Sequence, residues 1–305
     1  MSRVTLWLRA SRAPLYTASG TTAIIGGALA YYDTGRLDPL LFILTTLGAM
    51  LMHAGATIAN DYYDHETGND DVNEDRTPFA GGTGVIQEGL LTPKAVLRAA
   101  LLCWGLGAAV GSYLAWRCGW PVLALGLFGF LSGYFYTAGP VRLAYRGFGE
   151  AVLGLNFGPV IVAGAYFVQT GSFAPQAWLA GAAIGFFVTG ILFINQFPDY
   201  AADRATHKRN LVVRLGTARA VQWYLPIVLP GYAAVAAGVV LGWLPWTAFI
   251  ALATLPLVLG AHRLARVHHA SPRALIPANA ATVKAQLLTG NLLSVSLVVA
   301  RWVGL

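Results

Sequence analysis

Charge is what this sequence has least of. Aspartate, glutamate, lysine and arginine make up 11% of the 305 residues, less than half the roughly 25% of an ordinary soluble domain. With 56% apolar residues and a mean hydropathy of +0.60, that shortage argues against a soluble domain and for a chain dissolved in lipid. Cysteine is scarce too. The two present, Cys103 and Cys118, fall on one predicted helix about 22 Å apart at 1.5 Å per residue, so they cannot pair with each other. The sequence also lacks the alternating pattern of a membrane barrel, the His and Cys spacing of a zinc site and the signature of a P-loop.

Long apolar runs are what it has instead, near residues 14–32, 39–59, 95–116, 120–138, 150–169, 176–197, 218–241, 244–262 and 285–303. A hydrocarbon core of about 30 Å takes about 20 helical residues to cross, and in lipid only helices or closed barrels satisfy their backbone. The fold predicted is an all-α integral membrane protein of nine transmembrane helices, one unit over residues 1–305, with polar cap loops at about 60–93 and 198–217. Cytoplasmic loops carry the excess of lysine and arginine. A cytoplasmic N-terminus puts 17 of the 20 Lys and Arg residues on that side, all but Arg36, Arg117 and Arg301. This bias predicts a multi-pass protein of the inner, cytoplasmic membrane with the cap loops facing the cytoplasm. It accounts for the net charge of +7 with no nucleic acid as partner, since a basic inner face suits anionic headgroups and phosphorylated substrates. The basic and then apolar N-terminus, with Ala28-Leu29-Ala30 at its end, could pass for a cleaved signal peptide. Cleavage would remove the first helix and reverse the alternation behind the charge bias, so the run is expected to stay as a span.

The few acidic residues are not spread evenly. Of the 13, all but Asp33, Asp38 and Glu150 lie in two stretches: Asp61, Asp64, Glu66, Asp70, Asp71, Glu74, Asp75 and Glu88 after the second helix, and Asp199 and Asp203 ending the sixth. Both follow even-numbered helices and so share one membrane face. Asn195, Asp199 and Asp203 are spaced i, i+4, i+8 and would stack along one helix face, as would Asn60 and Asp64. Carboxylates crowded to 4 Å repel by about 4 kcal/mol per pair at an effective dielectric near 20. Cations must offset that, and hard oxygen donors select Mg²⁺, Mn²⁺ or Ca²⁺. A merely solvated acidic loop does not explain a recurrence at two separated places, because ionisable residues at a membrane edge are functional by default. His65 and His207 are expected to be solvated loop residues.

An anion held between such clusters needs donors as well. Arg12 before the first helix, Arg76 in EDRTPFAGGTG, Arg142 in YTAGPVRLAYRG, and Lys208 and Arg209 after the second acidic motif all fall on the cytoplasmic side. Positive-inside anchoring accounts for Arg3 and Arg9. Arg76, Lys208 and Arg209 lie within the motif loops, where a phosphate contact is the better assignment. The GGTG run at 81–84 could offer backbone N–H groups to a phosphate, and Thr92-Pro93 has the form of a helix cap and first turn.

NDYYDHETGND, YTAGPVRLAYRGFGE and NQFPDYAADRATHKRNLVVRLG, in that order, resemble the UbiA superfamily of intramembrane prenyltransferases, and the likeness covers essentially the whole chain. The resemblance implies a nine-helix bundle around a central cavity, capped by the two polar loops and open sideways to lipid. It implies Mg²⁺, with Mn²⁺ as a substitute, bridging the motifs to an isoprenyl diphosphate. Carried over, Asn60, Asp61, Asp64, Asn195, Asp199 and Asp203 become metal ligands, with Asp64, Asp199 and Asp203 catalytic, and Arg12, Arg76, Arg142, Lys208 and Arg209 bind the diphosphate. One departure stands out: Gly68 occupies the position where many members carry the next aspartate of the first motif. Asp70 is the next candidate, with Glu66 and Asp71 as alternatives, and that spacing resembles the branch that prenylates 1,4-dihydroxy-2-naphthoate in menaquinone synthesis. The expected activity is transfer of an isoprenyl chain to an aromatic acceptor, that naphthoate first. Hydroxybenzoate, homogentisate, a tetrapyrrole or a lipid glycerol are the alternatives, and a cation-coupled transporter is the alternative of another class. Tyr134, Tyr136, Phe157 and Phe186 are candidates to shelter an allylic cation. Asn156, mid-helix, is expected to serve packing between helices.

Overall fold

The computed structural model describes residues 2–305 and is helical throughout: α1 (Arg3–Ala10), α2 (Tyr16–Thr34), α3 (Pro39–Glu66), α4 (Pro93–Cys118), α5 (Trp120–Tyr134), α6 (Gly149–Leu155), α7 (Ile161–Thr170), α8 (Pro175–Asn195), α9 (Tyr200–Ala205), α10 (Leu211–Leu215), α11 (Thr217–Ala220), α12 (Tyr224–Val240), α13 (Leu255–His268) and α14 (Ile276–Val303). A π turn over Asn156–Val160 joins α6 to α7, and 3₁₀ turns lead into α12, α13 and α14. Among the described residues seven segments are long and apolar enough to cross a membrane: Pro39–Glu66, Pro93–Cys118, Gly149–Thr170, Pro175–Asn195, Thr217–Val240, Trp246–His268 and Pro272–Val303. The other two predicted runs form α2, whose serines, threonines and glycines lower its hydropathy, and α5, which is shorter at 15 residues. The predicted run at 120–138 therefore ends early, at Tyr134.

Several helix starts are written locally. Pro39 and Pro93 take first-turn positions where no N–H is needed, and the preceding Asp38 and Thr92 side chains accept from Leu41 N at 3.0 Å and Ala95 N at 3.2 Å. Thr92-Pro93 is the cap its sequence predicts. The membrane-scale helices close into a ring: α2 packs on α3, α3 on α4, α4 on α5, α5 on α7, α7 on α8, α8 on α12, and α13 and α14 return the chain to α2.

Two of these helices approach unusually closely. Gly154 on α6 and Gly158 within the π turn face Gly181 and Gly185 on α8. A Cβ on Gly158 would stand 2.4 Å from the Gly181 carbonyl oxygen, and one on Gly185 would stand 2.5 Å from that of Gly154. Paired small residues four apart are how helices reach contact distance in lipid, where dispersion replaces the hydrophobic drive. Asn156 sits at this crossing as expected, with Nδ2 donating to the Val152 carbonyl at 2.8 Å and Oδ1 lying 3.1 Å from Ser132 Oγ on α5.

Candidate active site

α3 runs past the apolar run's end at residue 59 to Glu66, so Asn60 and Asp64 share one helix face as their spacing predicts, and Asp61 is helical as well. A departure lies at the other motif. A continuous helix from Asn195 to Asp203 was expected, but α8 ends at Asn195 and α9 restarts at Tyr200. Pro198 between them has no N–H to carry an α-helical ladder. Asn195, Asp199 and Asp203 nevertheless line one cavity together with Asn60, Asp64 and Asp70.

Each carboxylate is met by a specific partner. Asp64 Oδ2 accepts from Lys208 Nζ at 2.8 Å and from Asn60 Nδ2 at 3.1 Å, while its Oδ1 accepts from the Tyr145 hydroxyl at 3.0 Å. Asp203 accepts from Asn69 Nδ2 at 2.9 Å and Asn210 Nδ2 at 2.6 Å, with Lys208 Nζ at 3.7 Å. Asp199 accepts from Asn73 Nδ2 at 2.8 Å and from the Gly81 N–H. Asp70 is the exception: its carboxylate accepts no hydrogen bond among the described residues, and it lies so close to Gly82 that a Cβ there would be 2.2 Å from Oδ2. The GGTG run therefore gives backbone N–H groups to the aspartates, Gly81 to Asp199 and Thr83 to Asp61.

The charges do not balance without a cation. Burial, reinforced by the carboxylates of Asp64 and Asp61, pushes Asp70 up to about 8. Burial likewise raises Asp203 to about 7, against the pull of Lys208, and raises Asp199. Burial opposes the Lys208 ammonium, but Asp64 and Asp203 outweigh it and hold the lysine well above its usual range. Among the described residues no three His, Cys, Asp or Glu side chains converge into a ready-made metal cage, because asparagines and Lys208 fill the spaces between carboxylates. Mg²⁺ needs no such cage. It binds through one or two carboxylates and fills its remaining positions with water and phosphate oxygens, and the free carboxylate of Asp70 beside Asp64 and Asp199 fits that use.

The cavity behind this layer has a volume of about 770 Å³, and its walls below the aspartates come mainly from apolar residues of α3, α4, α5 and the π turn. Arg12 and Lys208 reach it; Arg76, Arg142 and Arg209 do not line it. Arg76 is spent inside its own loop, on the carbonyls of Asp70 and Gly81. Arg142 is exposed, its guanidinium 5.7 Å from the Tyr145 ring centroid, and Arg209 is exposed as well. Asp61 also lies outside the lining, turned about 100° around α3 from Asn60. Its Oδ1 holds Arg12 Nη2 at 3.0 Å and its Oδ2 accepts from Thr83. Of the aromatic candidates, Tyr136 and Phe157 line the cavity, Tyr134 packs on Tyr63 and Trp104, and Phe186 is exposed. Glu66 and Asp71 stay outside the lining, and His65 pairs with Asp71 at 3.0 Å.

The sequence reading missed the second-motif supports Asn69, Asn73 and Asn210, together with Tyr145 and the buried Glu150. Asn69 and Asn73 stand within the acidic run itself and Asn210 follows Lys208 and Arg209, so amides interleaved with carboxylates were the available signal. Glu150 Oε1 accepts from Gln196 Nε2 at 2.9 Å and from Leu211 N at 2.8 Å, tying α6 to the end of α8 and to the start of α10. Arg9 is more than a membrane anchor: it donates to Glu88 Oε2 at 2.8 Å and to the Thr83 carbonyl at 2.7 Å, fastening α1 to the first cap loop.

Residues 20–283 match the UbiA prenyltransferase family. The chain belongs to that family. As a UbiA protein it is a membrane prenyltransferase, which sets the transporter alternative aside. It is 30% identical to a 2-carboxy-1,4-naphthoquinone phytyltransferase of Synechocystis sp., over 98% of this chain and 94% of the relative. It is 28% identical to a 1,4-dihydroxy-2-naphthoate octaprenyltransferase of Bacillus subtilis, over 96% and 92% of the two chains, and 29% identical to one of Escherichia coli, over 99% and 98%. Among solved structures it resembles an apo UbiA homolog from Aeropyrum pernix K1, with a TM-score of 0.69 at 16% identity over 92% of this chain and 98% of that one. It also resembles a UbiA homolog from Archaeoglobus fulgidus bound to DMAPP and Mg²⁺, with a TM-score of 0.62 at 15% identity over 95% and 99%.

Proposed function

We propose that this UbiA-family protein transfers an isoprenyl chain from a polyprenyl diphosphate to 1,4-dihydroxy-2-naphthoate, with Mg²⁺ held by Asn60, Asp64, Asp70, Asn195, Asp199 and Asp203. The observation that carries the reading is one cavity with two characters: aspartates from two distant motifs and two cations, Arg12 and Lys208, at one end, and an apolar chamber below. A diphosphate with a hydrocarbon tail has that same division. The naphthoate is favoured over the other acceptors by two relatives of nearly full-length match whose names state that substrate, and Mg²⁺ by the neighbouring fold bound to it.

Bound Mg²⁺ would supply charge to the departing diphosphate. The chain's own part is to place and shield. Arg12, fixed by Asp61, and Lys208, fixed by Asp64 and Asp203, aim donors at oxygens where negative charge grows as the allylic C–O bond breaks. Asn69, Asn73 and Asn210 hold the second-motif carboxylates in register. The apolar chamber keeps water from the allylic cation so that the aromatic ring captures it. We further place nine spans in the inner membrane, as a single domain with N-terminus and cap on the cytoplasmic side, which the lysine and arginine bias supports.

The test is to incubate purified protein with labelled geranylgeranyl or farnesyl diphosphate, Mg²⁺, and a panel of 1,4-dihydroxy-2-naphthoate, 4-hydroxybenzoate and homogentisate. Label is expected in the naphthoate product and is expected to vanish with a chelator. Label in another acceptor alone overturns the branch assignment, and turnover unaffected by chelation overturns the metal.

A further inference from the structure

Below the aspartate layer the cavity is largely apolar, so a polar atom left open to it carries information about the ligand. His53 provides one. It lies on α3 seven residues before Asn60, about 10 Å deeper at 1.5 Å per residue, and lines the cavity with its ring half-buried. Two rings hold it edge-on, Tyr16 at 5.4 Å and Phe157 at 4.5 Å between centroids. Ser19 Oγ on α2 stands 3.2 Å from its Nδ1.

Ser19 Oγ lies within reach of two acceptors, the Tyr16 carbonyl at 3.0 Å and His53 Nδ1 at 3.2 Å, and a hydroxyl has one proton to give. With that proton on the carbonyl, which can only accept, Nδ1 carries the hydrogen and the lone pair is left on Nε2. Nδ1 is the only His53 nitrogen with a hydrogen-bond partner among the described residues. Among other polar side chains lining the chamber, Thr45 donates to the Leu41 carbonyl, Ser132 to that of Phe128 and Asn156 to that of Val152, while Gln286 on α14 lines it with an amide that has no partner among the described residues.

We propose that His53 Nε2 accepts a hydrogen bond from a ring hydroxyl of the acceptor, which makes His53 an acceptor-binding residue selective for hydroxyarenes; the inference rests on the prenyl-transfer reading above. The depth agrees. With the diphosphate against the aspartates, the allylic carbon lies a few ångströms below it, and a ring poised about 3–3.5 Å from that carbon brings its hydroxyl toward the level of His53. A hydrocarbon tail has no donor for Nε2, so the contact discriminates for the acceptor and is indifferent to the isoprenoid.

The experiment is steady-state kinetics of the full-length enzyme with each substrate varied in turn. His53→Leu is expected to raise the KM for the hydroxyarene about tenfold, the size of one lost hydrogen bond, and to leave the KM for the isoprenyl diphosphate within about twofold of wild type. His53→Gln, whose amide oxygen can accept the same bond, is expected to recover most of the loss. An unchanged acceptor KM in His53→Leu, or an equal rise in both constants, overturns the assignment. A measurement on wild type alone guards against a variant that does not fold. 1-Hydroxy-2-naphthoate is expected to inhibit about tenfold more tightly than its 1-methoxy counterpart, and equal inhibition also overturns the assignment. If the wild type labels no hydroxyarene at all, the prenyl-transfer reading itself falls, whereas an active wild type beside an unaffected His53→Leu removes only His53.

Discussion

Lys208 Nζ stands 2.8 Å from Asp64 Oδ2 and 3.7 Å from Asp203 Oδ1, so one ammonium joins the end of α3 to α9 across 139 positions of sequence between Asp64 and Asp203. The side chain is only 14% exposed, and its neighbours' charges are left facing one another if it goes. Lys208→Met is therefore expected to destabilise the metal-free protein by about 3 kcal/mol, the cost of orphaning one side of a buried pair. Mg²⁺ with inorganic diphosphate should restore part of that, since added cations take over the neutralisation. Thermal unfolding in detergent with and without both ions measures it. Equal unfolding temperatures for variant and wild type would show the pair to be ornamental.

Asp64 and Asp199 come from the two motifs and line the same cavity. Their roles in metal binding predict that Asp64→Ala and Asp199→Ala each reduce transfer at least 1,000-fold, or about 4 kcal/mol of barrier, while the protein still inserts and folds. Asp61→Ala should act differently, because Asp61 holds Arg12 rather than facing the chamber. It is expected to raise the KM for the isoprenyl diphosphate and to leave the Mg²⁺ requirement unchanged. Full activity in either of the first two variants would remove that residue from the mechanism.

The two motifs were visible in the sequence because Asn-x-x-x-Asp spacing carries its own geometry, and the spans because lipid demands long apolar runs. What stayed hidden depends on the loop backbone. Lys208 and Arg209 are neighbours in sequence, yet Lys208 lines the cavity and Arg209 is exposed. The chain enters that pair through His207 in the left-handed region, φ 59°, and Arg12 and Arg142 are the other non-glycine residues there among those described, both at 48°. Composition does not reveal such reversals, which side chains rarely adopt and tertiary contacts must impose. The break at Pro198 was readable but was outweighed by the i, i+4, i+8 pattern around it. Asp61 was assigned to metal because it stands inside a motif, and only the helical phase of α3 shows that it turns toward Arg12.

The raised carboxylates give the site a pH dependence with a definite sign. Burial pushes Asp203 up to about 7 and Asp70 up to about 8 in the folded, metal-free protein, against about 3.9 for an unfolded aspartate. The folded state binds the extra protons between these values, so their contribution to stability is full below about pH 4 and is lost as the pH rises through 7 and 8. A metal binds the ionised form and expels those protons. Mg²⁺ affinity is accordingly expected to rise about 100-fold between pH 6.5 and 8.5, with proton release seen by calorimetry in buffers of different ionisation enthalpy. An affinity that does not change with pH would show that these carboxylates do not take the metal.

The close crossing of α8 with the π turn offers a prediction about the scaffold rather than the chemistry. Gly185 leaves no room for a methyl group, because its Cβ would stand 2.5 Å from the Gly154 carbonyl oxygen, which is backbone and cannot swing away. Gly260 on α13 is also helical, but a Cβ there meets nothing within 4 Å. Gly185→Ala is expected to push α8 from the π turn and lower stability by about 1–3 kcal/mol, the usual cost of overpacking. Gly260→Ala should be neutral or slightly stabilising through helix propensity. The displaced turn carries Phe157 and borders the chamber, so Gly185→Ala should also weaken acceptor use while Gly260→Ala leaves it alone. Comparable unfolding temperatures for the two variants would mean that the glycine crossing does not hold these helices at their spacing.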